Sequence, residues 1–250
     1  MKKRLLYFFL LLPFLLAAQN WKISPVAPKA GETVKVEFDL SKSKLHGVEN
    51  IAINGLEYVN DKAQALEIAT YRSGDKITGL FSIGVNAKSV VLALENEDDS
   101  EQFDNNAGEG YFVAINDAGG KQLPESMAAQ AVLYRDWGSL LNLNRTASKA
   151  FDLQNQAFAA QPDLKKKYWS TYVAYLTAVK KGDDGKTEAL TLLGEIETAP
   201  ASSEQDLLSV SRFYERMGQA EKSKALKDKV RTTWPKGILV KQEKRKSIEM

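Results

Sequence analysis

The spacing of apolar residues divides this chain near residue 116. Before that point apolar and polar side chains alternate with period two, and after it apolar residues return every three or four positions. Val34, Val36, Phe38 and Leu40 alternate with Thr33, Lys35, Glu37 and Asp39, the pattern of a strand with one buried face. Further strands are expected over Asn50–Ile53, Ala65–Tyr71, Ile77–Ile83, Ser89–Leu94 and Gly110–Ile115. Turn formers separate them: Pro28 to Gly31, Asn54-Gly55, Ser73-Gly74-Asp75 and Asn86-Ala87. Beyond residue 116, Leu207, Val210, Tyr214 and Met217 share one helical face, and Gly218 ends that helix. Ser223, Leu226, Val230 and Trp234 continue as a second amphipathic helix that Pro235 stops.

Short strands with polar turns predict an antiparallel β-sandwich of the immunoglobulin-like kind over residues 19–116, although the Cys–Trp–Cys signature of antibody domains is absent. A linker is expected over 117–124 and a helical domain over 125–237. Residues 238–250 read as a charged connector, helix-like over Lys241–Met250 and with little apolar content. Pro162, Pro200 and Pro235 close successive helix pairs, 38 and then 35 residues apart, close to the period of a two-helix repeat. Leu207, Val210, Tyr214, Gly218, Ser223, Val230 and Pro235 stand at the spacing of a tetratricopeptide repeat, which this stretch resembles. Ser211 replaces the motif's small glycine, and Lys227 stands where a large apolar residue is usual. Counting back from Pro162 puts Tyr134, Trp137, Gly138, Leu141, Ala150 and Ala157 at the same offsets, with Gln154 departing from the pattern. The middle pair keeps only periodicity: Leu164, Tyr168, Tyr172, Tyr175, Leu176 and Val179, then Ala189, Leu192, Leu193 and Ile196.

The N-terminus changes the cellular setting. Lys2, Lys3 and Arg4 precede an apolar run from Leu5 to Leu16, followed by Ala17, Ala18 and Gln19. That order describes a secretory signal peptide, residues 1–18, with cleavage expected after Ala18; the run is short for a membrane span and Pro13 interrupts it. The chain is therefore expected in the periplasm or cell envelope, with no stable membrane span after cleavage. The 34 basic side chains lose three with the leader, leaving 31 against 32 acidic ones. A near-neutral mature chain lacks the concentrated positive field that nucleic acid requires. The absence of cysteine excludes disulfides, thiol nucleophiles and a lipid-bearing cysteine.

Candidate chemistry is sparse. The stretch Glu95–Glu109 holds seven carboxylates, and Asp98, Asp99, Asp104 and Asn106 are its calcium candidates, although the EF-hand glutamate position after Asp104 is occupied by Ile115. The alternative is a solvated loop in which Asn and Gly make tight turns. His46, the single histidine, lies in a polar loop without a nucleophile motif. Every acidic residue is expected on a loop or an exposed helix face. Trp21, Tyr58, Tyr71, Phe81, Phe103 and Tyr111 include candidates for a sugar-stacking platform, or else fill the core. Tyr168, Trp169, Tyr172 and Tyr175 are partner-binding candidates on the helical half, though their period places them in the core first. No cofactor is expected.

Asp104-Asn105-Asn106-Ala107-Gly108-Glu109-Gly110-Tyr111 is similar to the D-N-N-x-G-x-G-Y segment of exported TlpA-type, thioredoxin-family disulfide reductases of Gram-negative bacteria. The opening Ile23-Ser24-Pro25, leading through Pro28 and Gly31 into the first long strand, resembles theirs as well. The resemblance implies a β-sandwich and a helical region that precede a C-terminal thioredoxin domain. The Cys-x-x-Cys of that domain is missing, so no redox residue carries over. Three functions follow as expectations: a non-catalytic periplasmic scaffold that binds an envelope protein or peptide; the leading fragment of a thiol-disulfide oxidoreductase; or a carbohydrate-binding sandwich.

Overall fold

A computed structural model describes residues 20–248; the expected leader lies outside the described residues. Nine strands and eight α-helices follow one another along the described chain. Strands β1 (Trp21–Ser24), β2 (Thr33–Asp39), β5 (Ala69–Ser73) and β6 (Lys76–Ser82) form one antiparallel sheet in the order β1-β2-β6-β5. The second sheet contains β4 (Lys62–Ala65), β3 (Ile51–Val59), β7 (Ala87–Asn96), β8 (Asp99–Asp104) and β9 (Tyr111–Ala114). Both β8 and β9 pair with β7, one after the other along the same strand. The alternation read in β2 is real: Val34, Val36 and Phe38 point inward onto Ile53, Ile77, Val90, Leu92 and Tyr111.

Strand β7 explains how the sheets meet the helices. Its run Val90–Leu94 is buried throughout because both of its faces are covered. Val90, Leu92 and Leu94 face the inter-sheet core, whereas Val91 and Ala93, with Leu56 and Tyr58 of β3, belong to the helical core. Helix α1 (Pro124–Val132) lies on that outer face. Ala128, Ala129 and Ala131 are fully buried there, and their small side chains let the helix approach the sheet closely.

The remaining helices are α2 (Ala147–Ala160), α3 (Leu164–Lys167), α4 (Trp169–Val179), α5 (Asp183–Thr198), α6 (Glu204–Arg216), α7 (Ala220–Thr233) and α8 (Ile238–Ile248). Pro162, Pro200 and Pro235 each stand two residues beyond a helix end, as the repeat spacing predicts. Helices pack on their chain neighbours, α4 on α5, α5 on α6 and α6 on α7, while α2 packs on both α1 and α4. Ser203 and Asp206 close a reciprocal cap at the start of α6. Among the described residues no helix is long and apolar enough to cross a membrane.

Several local expectations are corrected. Asn54-Gly55 is not a turn but the middle of β3; a Cβ at Gly55 would come within 2.9 Å of Leu92 and 3.0 Å of Ile68, so glycine serves close packing there. The actual turn is Asn60-Asp61, both at positive φ, joining paired residues Val59 and Lys62 as a two-residue hairpin. The stretch Ala65–Tyr71 is divided between β4 and β5, which lie in different sheets. Part of the acidic stretch, expected as a loop, is strand β8. Glu57 is a buried carboxylate within β3, not an exposed one; it accepts from the Gln64 amide at 2.7 Å and the Gly84 N–H at 3.0 Å. The helix expected from Leu164 to Val179 breaks at Tyr168 into α3 and α4. The helix-like character expected near the C-terminus is present as α8, but this stretch is more than a connector, because its Leu239 is buried against the helical core.

Candidate functional site

Two features sit at the seam between sheet and helices. The first is a clasp built by the segment Asp104–Tyr111. Asn105 is 5% exposed and donates its amide to the carbonyls of Leu141 (3.2 Å) and Asn142 (2.6 Å) in the turn before α2, while its Oδ1 accepts from the Gly108 N–H at 2.8 Å. Asn144 returns the contact, donating its N–H to the Gly108 carbonyl at 2.9 Å and its amide to the Ala107 carbonyl at 3.1 Å. Gly108 has φ +87°, and a side chain there would collide with Asn144. Asp104 faces the sandwich, accepting from Ser43 Oγ at 2.5 Å and Tyr111 OH at 2.8 Å. Glu109 pairs with Lys149 of α2, whose ammonium holds its carboxyl below the usual range.

The second feature is a cleft of about 510 Å³ lined by Tyr58, Asp61, Val132, Asp136, Trp137, Lys167, Tyr168, Ser170 and Thr171. Three local irregularities bring most of these residues together. The Asn60-Asp61 hairpin turn presents Asp61 at the rim. A π-helical turn over Leu133–Trp137 interrupts the end of α1, and such a wider turn re-aims the side chains it carries, here Asp136 and Trp137. The break at Tyr168 brings the end of α3 and the start of α4 to the same wall.

Its electrostatics are self-contained. Lys167 donates to Glu125 at 2.7 Å and lies 3.6 Å from Asp61, and Lys88 lies 3.1 Å from Glu125. Burial works against the Lys167 charge, but Glu125 and Asp61 outweigh it and keep its pKa above the ordinary value. Burial pushes the Asp136 carboxyl up; the Tyr175 hydroxyl, which donates at 2.8 Å, and the charges of Arg135 and Arg145 offset only part of this. Burial likewise raises the phenols of Tyr58 and Tyr168, which stay protonated. The Tyr168 hydroxyl is buried and has no hydrogen-bond partner.

The residues singled out from sequence fall elsewhere or in other roles. Tyr168, Trp169, Tyr172 and Tyr175 are all buried in the helical core. The polar ends of three reach across it: Trp169 to Asp206 (3.2 Å), Tyr172 to Glu188 (3.0 Å) and Tyr175 to Asp136. Only Tyr168 lines the cleft. Asp98, Asp99, Asp104 and Asn106 do not converge: Asp98 binds Asn50, Asp99 binds the Glu101 N–H and Gln102, Asp104 serves the sandwich, and Asn106 donates to the Gly110 carbonyl. Among the described residues no group of three or more His, Asp or Glu could hold a metal ion. Of the sandwich aromatics, Tyr58, Phe81 and Tyr111 are buried, Trp21 stacks on Phe38, Phe103 is half-buried and Tyr71 alone is exposed, so they form no platform. His46 is a surface residue 3.4 Å from Asp75.

Sequence reasoning missed Asp61 and Asp136, and it read Trp137 only as a repeat position. Trp137 is 40% exposed. The irregular turn that turns it outward has no local signature in Leu133–Trp137. No family model, curated protein or solved structure matches this chain.

Proposed function

We propose that the chain is an exported, non-catalytic interaction or scaffold module, an immunoglobulin-like sandwich joined to tetratricopeptide-like helical hairpins. In this reading it corresponds to the thiol-free, leading part of a TlpA-type disulfide reductase. The observation that carries the reading is the Asn105 clasp. A module that positions one molecule against another must pass orientation through its own body, and the buried amide with α1 packed on β7 makes sheet and helices one platform. A groove of about 470 Å³ between α6, α7 and α8, lined by Leu208, Arg212, Gln242 and neighbours, offers the helical half a surface for an extended segment.

The test places a photo-crosslinking residue at Arg212, at Gln242 or at Tyr71 on the far sheet, in the chain expressed with its own leader. Recovery of a mature form beginning at Gln19, with one envelope protein trapped from Arg212 and Gln242 but not from Tyr71, supports the proposal. An uncleaved cytosolic product, or the same adducts from all three positions, overturns it.

A further inference from the structure

We propose that the seam cleft is a saccharide site, which takes a neutral pyranose as a monosaccharide or short oligosaccharide. Trp137 supplies the stacking face, and Asp136, Asp61 and Ser170 receive ring hydroxyls. This goes beyond the scaffold reading and does not depend on the groove between α6, α7 and α8.

Four observations converge on that ligand class. The cleft, about 510 Å³, falls within the usual size of small-molecule sites. Trp137, a large apolar ring, lines the cleft and is 40% exposed, an aromatic surface of the kind on which the apolar side of a sugar ring stacks. The Asp136 carboxylate uses one oxygen for the Tyr175 hydroxyl, and no donor within the described protein reaches the other. Finally, Tyr168 is 4% exposed, yet its hydroxyl is unpartnered, an uncommon state for a buried polar group.

Charge decides against the other classes. An anion entering the cleft would meet Asp61 and Asp136. A cation would meet Lys167, which keeps its proton, and Asp136 already lies in the field of Arg135 and Arg145. A purely apolar ligand would strip water from Asp136 and Ser170 without replacing their hydrogen bonds, which is costly. A polyhydroxy ring adds no charge, and its hydroxyls both donate and accept.

The chain from Gln19 to Met250 is screened on an array of neutral and acidic glycans. The best neutral glycan is then titrated against the protein's tryptophan fluorescence and by ligand-observed NMR. Saturable binding of a neutral glycan is expected, with methylamine and acetate failing to compete. Trp137→Ala should weaken it by at least roughly tenfold, and Asp136→Asn should weaken it less. Tyr168→Phe separates binding from folding, since losing an unpartnered buried hydroxyl leaves the urea midpoint unchanged or higher while binding weakens. The absence of any saturable neutral glycan, or binding indifferent to both Trp137→Ala and Tyr168→Phe, overturns the proposal. A peptide crosslinked at Trp137 and displaced by no sugar overturns it as well. Crosslinks from Arg212 and Gln242 report on the scaffold reading, so either idea can fail alone.

Discussion

Asn105 turns its whole side-chain amide toward the seam, and each of its three hydrogen bonds joins backbone groups that no secondary structure satisfies. Replacing it by alanine leaves the carbonyls of Leu141 and Asn142 and the Gly108 N–H short of partners in a buried place. The expected loss is about 2–4 kcal/mol, read as a lower urea midpoint at unchanged slope. Asn105→Asp should be worse at neutral pH, because a carboxylate would face two carbonyl oxygens. Gly108→Ala should also destabilise, since φ +87° and the Asn144 contact both exclude a Cβ. If Asn105→Ala leaves the midpoint unmoved, the clasp is ornamental and does not hold sheet and helices together.

Helix α1 is held at its start as well as along its face. Pro124 begins it, Glu125 lies in its first turn where the helix dipole favours a negative charge, and Lys88 of β7 and Lys167 of α3 converge on that carboxylate. Burial alone would raise the Glu125 pKa, but the two lysines outweigh it and hold it below the ordinary 4.5. A carboxyl lowered in the folded state stabilises above its unfolded value, and that contribution disappears as pH falls through the lower folded value. Glu125→Gln should therefore cost about 1 kcal/mol at neutral pH, a modest figure because solvent screens the pair. The gap between the two proteins should close as urea titrations move from pH 7 toward pH 3; a gap independent of pH would remove the tether.

Elements of this kind were legible in proportion to how local their causes are. Helices α6 and α7 followed from one-face periodicity, a glycine stop and a proline stop, all within thirty residues. Asn54-Gly55 was misread because its glycine answers to Leu92, far away in sequence, and not to a turn. Strand β8 was hidden in an acidic run because edge pairing with β7, not apolar alternation, holds it. The cleft was least legible: Asp61, Trp137 and Tyr168 come from three separate irregularities that only the fold brings together.

At the scale of the molecule, β7 decides how the chain unfolds. Its odd residues Val91 and Ala93 belong to the helical core and its even residues Val90, Leu92 and Leu94 to the sandwich, so neither core closes without it. Even the expected linker is bonded in place: Asn116 pairs with Gln122, Asp117 caps the N–H groups of Gly119 and Lys121, and the Leu123 N–H donates to the Ile115 carbonyl. Two domains on a loose tether would melt separately, whereas cores that share a central strand should melt together. Far-UV circular dichroism, weighted to the helices, and the fluorescence of Trp21, packed on Phe38 and Tyr111 in the sandwich, followed in a variant with Trp137, Trp169 and Trp234 replaced by phenylalanine, should report one urea midpoint. Val91→Asp places an unpaired charge under α1 and should lower both midpoints together by about 3–5 kcal/mol equivalent. A fragment of residues 20–122 should bind hydrophobic dye, because Leu56, Tyr58, Val91 and Ala93 would lose their cover. If that fragment instead folds alone, or the full chain shows two separated transitions, the seam is a contact between independent bodies and cannot carry orientation from one to the other.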